Sequence, residues 1–300
     1  MAGRFGRDSG AAQRMGVRVA GVIAGFVVLA LVVLGVHALR GGSGPDAATS
    51  TPPSAGSSSG SGGSSSGATS SAVVPVPPVS AAQLAALPRS TTFTTVHGLP
   101  SSSGATSDGN VVRIAHAQVG FDAPGGSPKV VIPATQLGLD TWLPIVDRRS
   151  GWYQVRLPSR PNGSLAWIPA AGMRTAQTDW RVHISLAAGR MTVMKGTSQM
   201  GEWTVGHGKD ATPTPVGQTF LLAGFVDPSE TFSPVIYALG AHSDSLDTFG
   251  GGPGTVAVHG WPTAAGRIGK ISHGCVRVPA AALSMFAKLP TGTPVDITAS

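Results

Sequence analysis

Trp180-Arg181-Val182-His183-Ile184-Ser185-Leu186 alternates apolar and polar side chains at every step. Successive side chains of a strand point to opposite faces, so this stretch reads as a β-strand with Trp180, Val182, Ile184 and Leu186 on its buried face. Ala188-Gly189-Arg190 and Gly196-Thr197-Ser198 punctuate the next two runs, Met191 to Lys195 and Trp203 to Gly206, which predicts a meander. Further strands are expected at Gly217 to Phe225, Val235 to Leu239, Thr255 to His259 and Val295 to Thr298. Pro279 to Lys288 alone reads as a helix, with proline in the first turn and Leu283, Phe286, Ala287 and Leu289 on one side. Residues 180–298 are therefore expected to form a mainly β, sandwich-like domain with one short helix.

Towards the N-terminus, residues 111–173 hold five shorter β-rich runs: Val111 to Ala117, Val130 to Ile132, Thr141 to Val146, Trp152 to Leu157 and Leu165 to Ile168. Each is bounded by Gly, Pro, Asn or Asp, which suggests a small β-barrel-like domain. Gly151-Trp152-Tyr153-Gln154-Val155 and Leu165-Ala166-Trp167-Ile168-Pro169 resemble the paired Gly-Trp strands of bacterial Src-homology-type barrels, although two tryptophans on a hairpin serve equally well as plain core.

Residues 40–110 read as a disordered Gly/Ser/Pro-rich linker, because a stretch dominated by small residues, with Asp46 the sole charge of residues 41–80, cannot offset the entropy of ordering. Taken to Pro88, such a coil reaches roughly 40 Å. Within it, Ser80 to Leu87 has helical character and Ser90 to Asn110 reads as irregular. Val19 to Val36 is apolar and uncharged, and Ala38 and Leu39 extend it. At 1.5 Å per residue this gives roughly 30 Å of helix, enough to span a bilayer. Arg4, Arg7, Arg14 and Arg18 precede it. The positive-inside rule then makes residues 1–18 a cytoplasmic stub, 19–39 a single-pass membrane anchor and the rest extracytoplasmic. A cleaved signal peptide ending near Val36-His37-Ala38 is the alternative. Those arginines account for much of the formal charge of +7, the remainder is dilute, and no basic stripe points to nucleic acid.

An exported chain with one cysteine can form no intramolecular disulfide, so its thiol is either inert and buried or reactive. Cys275 stands in Ser272-His273-Gly274-Cys275-Val276-Arg277, and twelve residues separate Ser272 from the histidine of Val258-His259-Gly260-Trp261. A thiol near its free pKa of about 8.5 is mostly protonated at neutral pH and needs a base or a positive neighbour, for which His259 is the candidate. Gly274 permits a tight turn that can aim the amides of Gly274 and Cys275 at an oxyanion. Arg277 lies on the Cys275 side of an extended segment, where it can pair with a substrate carboxylate or be an ordinary surface arginine. A metal site built from His242, Asp244, His259, His273 and Cys275 is the competing reading. It fits no zinc spacing, so neither metal nor cofactor is expected. Trp261, Phe249 and Trp203 line the cleft or belong to the core.

These segments closely resemble the signature of the L,D-transpeptidase (YkuD-like) family, in its actinobacterial, membrane-anchored form. Ala211-Thr212-Pro213-Thr214-Pro215-Val216-Gly217 resembles the family's Thr-Pro-Thr-Pro-x-Gly turn, and Tyr237-Ala238-Leu239 its segment beneath the catalytic strand. The likeness runs from Trp180 to Thr298. It implies an acyltransferase of cell-wall biogenesis and cell shape, acylated by carbapenems. Its partners would be peptidoglycan stem peptides, a tetrapeptide donor and a diaminopimelate amine acceptor. Cys275 would be the nucleophile and His259 the general base and acid, oriented by the backbone carbonyl of Gly260. His273 would orient the loop and Tyr237 add an oxyanion donor, while Ser272, Trp261 and Arg277 would bind substrate. Water as acceptor would make the chain an L,D-carboxypeptidase, and a protein lysine would make it a wall-anchoring enzyme. A catalytically silent wall-binding module is the reading from another class.

Overall fold

The computed structural model describes residues 72–249 and 252–300. The expected stub, apolar span and first part of the tether lie outside the described residues. Among the described residues, no helix is long and apolar enough to cross a membrane.

The expected tether differs from the structure where the described chain begins. Val74 donates its N–H to the Ser150 carbonyl at 2.9 Å and accepts the Trp152 indole N–H at 2.9 Å. Helix α1 (Ala81–Ala86) starts with a reciprocal capping box between Ser80 and Gln83. Ser90 N–H donates to Val131 and Val131 N–H to Pro88, both at 2.8 Å, and Val96 N–H donates to Arg160 at 2.9 Å. Small polar residues can line a sheet through backbone hydrogen bonds alone, and composition does not register that.

The next strands are β1 (Asn110–Arg113), β2 (Gln118–Phe121), β3 (Pro128–Ile132), β4 (Thr135–Gln136), β5 (Leu139–Asp140), β6 (Trp142–Arg149), β7 (Trp152–Arg156), β8 (Leu165–Pro169) and β9 (Arg174–Gln177). Seven of them make an antiparallel sheet in the order β3-β2-β8-β7-β6-β1-β9, while β4 and β5 form a separate hairpin. The expected run from Val111 to Ala117 is broken, because the chain turns through exposed Ala115 and His116 before β2. Trp152 and Trp167 pack with Phe121, whose ring meets Trp152 edge-on at 5.2 Å. β9 is exposed throughout, so no periodicity announces it, and its pairing with β1 alone defines it.

The C-terminal strands are β10 (Trp180–Ser185), β11 (Arg190–Lys195), β12 (Ser198–Thr204), β13 (Gly206–Gly208), β14 (Gly217–Phe225), β15 (Ile236–His242), β16 (Thr255–Gly260), β17 (Gly269–Ser272), β18 (Val276–Val278) and β19 (Pro294–Thr298). They form a curled sheet in the order β12-β11-β10-β19-β14-β15-β16-β18-β13-β17. Val182 and Ile184 are fully buried, with Trp180 and Leu186 packed against the same core. Gly189, at φ 59, makes the turn between β10 and β11. The fold is thus mainly β, and α2 (Ala280–Phe286) buries Ala282, Leu283 and Phe286. β14 serves two cores: Leu221 faces the C-terminal one, while Phe220 and Leu222 enter that of the N-terminal sheet. Gly240 on β15 makes room for Phe220, since a Cβ there would lie 2.3 Å from the ring.

Candidate active site

β16 and β18 run parallel, with Val258 opposite Val276 and His259 opposite Arg277. Strand alternation sends Val258, Val276 and Val278 into the core. It puts Ala257, His259, Cys275 and Arg277 on the other face. His259 and Cys275 both border a cavity of about 220 Å³, whose walls include Ile236 and Ala238 of β15, Phe232 and Phe249. A larger hollow of about 450 Å³, between Ser107, Asp108, Arg148 and Arg181, has neither a thiol nor an imidazole in its wall.

His259 is buried, and its Nδ1 lies 2.7 Å from the carbonyl oxygen of Gly260. A carbonyl only accepts, so Nδ1 carries the proton and Nε2 keeps its lone pair. Burial, aided by the charge of Arg277 and opposed by the Gly260 hydrogen bond, pushes the imidazole pKa down to about 4. The ring is therefore a neutral base at pH 7. Gly260 is itself held: its N–H donates to Ser233 Oγ at 2.8 Å, and that hydroxyl donates to the Val235 carbonyl at 2.6 Å. The Phe232 ring packs 4.7 Å from the imidazole. Neither Ser233 nor Phe232 carries a sequence signal, because both sit in an irregular segment far from the motif.

Burial raises the Cys275 pKa, while a backbone hydrogen bond at Ala257 and the charge of Arg277 oppose the rise. The resting thiol is protonated and needs a base. Its loop is fastened from below. Ser272 Oγ donates to the Cys275 carbonyl at 2.6 Å and accepts the Gly274 N–H at 3.1 Å. Thr214 Oγ1 donates to the Gly274 carbonyl at 2.7 Å and accepts the Gly208 N–H at 2.9 Å. Thr212 Oγ1 donates to the Ser272 carbonyl at 3.2 Å. The Thr-Pro-Thr-Pro turn is legible in the sequence, but its task of gripping the cysteine loop emerges only here.

Several expected roles change. Gly274, at φ 118, makes the tight turn, yet its N–H is spent on Ser272 and does not face an oxyanion. Ser272 is almost fully buried beneath the loop, so it braces the cysteine and does not bind substrate. His273 is exposed, with Nε2 3.5 Å from Lys209 Nζ and its ring 4.9 Å from Phe249. Ser272, Thr212 and Thr214 make the bonds that orient the loop. Tyr237 points away from the cleft, because Ile236 and Ala238 already line it and alternation turns residue 237 to the core. Its ring packs 5.3 Å from Phe286 and its hydroxyl lies 3.5 Å from the Leu283 carbonyl. Tyr237→Phe is accordingly expected to leave the rate of thiol acylation within about twofold of wild type, since a weak 3.5 Å hydrogen bond remote from the thiol is all that it removes. Single-turnover acylation checks this, and a loss of a hundredfold would restore the phenol as an oxyanion donor.

Arg277 stacks on Trp261, its Cζ 3.4 Å from the ring centroid, and its buried Nε has no partner among the described residues. Trp203 packs against the C-terminal core instead of the cleft. The residues weighed as metal ligands do not converge: Asn162 holds the His242 ring and Asp244 at the interface with the N-terminal sheet. Among the described residues, no group of three His, Cys, Asp or Glu side chains is placed to hold a metal ion.

Residues 179–297 match the family model described as YkuD, L,D-transpeptidase catalytic domain. The match supports a catalytic domain of that type over that stretch. No curated protein matches the chain. Among solved structures, an L,D-transpeptidase from Mycobacterium smegmatis is similar at 19% identity and a TM-score of 0.34, covering 52% of this chain and 82% of that one. L,D-transpeptidase 3 from Mycobacterium tuberculosis, in complex with a faropenem-derived adduct, is similar at 15% identity and a TM-score of 0.35, covering 46% of this chain and 75% of that one. Bd1075 of Bdellovibrio bacteriovorus is similar at 18% identity and a TM-score of 0.33, covering 41% of this chain and 48% of that one.

Proposed function

We propose that the chain is a peptidoglycan L,D-transpeptidase that links diaminopimelate residues of neighbouring stem peptides through a Cys275 thioester. The observation that carries this reading is the shared face of β16 and β18. There a neutral imidazole, oriented by the Gly260 carbonyl, borders the same cavity as the chain's one thiol.

In the proposed reaction, His259 Nε2 takes the thiol proton as Sγ attacks the carbonyl between the L-centre of diaminopimelate and the terminal D-Ala. The C–N bond breaks, the imidazolium returns the proton to the departing D-Ala amine, and a thioester remains. An amine on a second stem attacks that thioester, loses a proton to His259 and restores the thiol. The guanidinium of Arg277, opposite His259 across the β16–β18 pair and stacked on Trp261, supports a role in holding a stem carboxylate. The same proposal takes residues 19–39 as a membrane anchor and puts the active site outside the cell, joined to it through the Src-homology-like N-terminal sheet.

Incubation with a stem tetrapeptide and analysis by mass spectrometry tests the reading. A dimer that has lost one D-Ala is the expected product. A tripeptide without dimer would move the assignment to L,D-carboxypeptidase. No conversion by folded protein would favour the silent wall-binding module.

A further inference from the structure

The cavity that holds Cys275 and His259 is not built by the C-terminal sheet alone: Thr92 and Leu137, from the chain before β10, also line it. Leu137 sits at the tip of the β4–β5 hairpin, at φ 49, and is followed by Gly138 at φ 82. Two-residue hairpin turns with both central residues at positive φ favour Asn-Gly, and leucine is a poor choice there. Leu137 is also 44% exposed, so the protein keeps an apolar side chain in an unfavourable backbone conformation without burying it in the fold.

The same N-terminal sheet fastens another wall. Arg160 donates from Nη2 to the carbonyls of Leu246 and Pro253 at 3.1 and 3.0 Å, and from Nη1 to Asp247 at 2.9 Å. Asn162 donates to the His242 carbonyl at 2.8 Å and accepts the His242 N–H at 2.9 Å. Pro253, Gly254 and Thr255, next along the chain, line the cavity. The β7–β8 loop thus fastens the segment that forms this wall of the cavity.

We infer that Leu137 is a specificity-determining residue: it packs on an aliphatic part of the peptide substrate away from the scissile bond, making the N-terminal sheet a working wall of the active site. The inference rests on the transpeptidase reading. Leu137→Gly suits φ 49, so it removes the side chain while easing the turn, and Leu137→Asn keeps a residue that tolerates this conformation. With the full chain, kcat and KM are measured on a stem tetrapeptide, alongside alkylation of Cys275 by iodoacetamide, which needs no peptide contact. Both variants are expected to raise KM roughly tenfold with kcat and alkylation nearly unchanged. An unaltered KM, or an equal fall in turnover and alkylation, would overturn the inference while leaving the transpeptidase reading intact. Absence of wild-type turnover would instead remove that reading and the inference with it.

Discussion

On the transpeptidase reading, Cys275→Ala is expected to form no covalent adduct with a carbapenem, and His259→Ala to form it about 10²- to 10⁴-fold more slowly than wild type, as loss of a positioned general base requires. Intact-mass measurement on timed samples reads both. The structure adds a pH signature. Burial holds His259 at about 4, so the acylation rate should persist as pH is lowered from 7 towards 5 and fall as the imidazole protonates near 4. An acid limb near 6.5 would mean a solvated ring and would contradict the geometry. The fold must be monitored in the same titration. His259 and His242 are each pushed down to about 4 by burial, below the unfolded value of 6.5. A depressed folded pKa contributes stability that is complete above 6.5 and is lost progressively as pH falls towards 4, on the order of 3 kcal/mol per histidine. Circular dichroism at each pH separates loss of the base from loss of the fold.

How much of this was legible follows from which interactions are local. The alternation at Trp180 to Leu186 marks β10 because one face is buried along its whole length, and β14 runs from Gly217 to Phe225 as expected. The helix falls within the expected bounds, shortened to Ala280–Phe286. The parallel pairs β10–β19, β16–β18 and β13–β17 join segments distant in sequence and leave no local pattern. That register nevertheless decides the site, since it puts His259 opposite Arg277 and beside Cys275. Resemblance to a family signature, joined to the need of an exported lone thiol for a base, singled out His259 and Cys275 as candidates. It misplaced Tyr237 because knowing that a tyrosine lies on a strand does not reveal which face it takes. It passed over Ser233, Arg160 and Leu137 because their roles consist of contacts with residues far along the chain. The tether was read too long for a related reason: the polar residues near Ser90 and Val96 are ordered by another segment's backbone.

Thr214→Val is expected to lower both stability and the rate of acylation although the hydroxyl that it removes lies beneath the cysteine loop. Threonine and valine have nearly the same shape, so the change isolates the hydroxyl. Thr214 is 2% exposed, and its Oγ1 joins the Gly208 N–H to the Gly274 carbonyl. Removing it leaves a buried donor and a buried acceptor without that partner, at about 1–3 kcal/mol each. A combined loss of about 2–6 kcal/mol would lower Tm by roughly 4–24 °C in a domain of this size. Thr212→Val is the internal control. Its hydroxyl gives one bond to the Ser272 carbonyl, which the Lys209 N–H also satisfies at 3.0 Å, so about 1 kcal/mol is at stake. Thr214→Ser restores the hydroxyl and should recover most of the stability. The catalytic consequence is separate from the thermal one. Gly274 immediately precedes Cys275, so freeing its carbonyl loosens the thiol relative to an imidazole that Ser233 and Gly260 still hold rigidly. Acylation by Thr214→Val should therefore slow well below its melting transition, with His259 titrating as in wild type. A normal acylation rate in a destabilised Thr214→Val protein would show that the grip on Gly274 serves the fold alone.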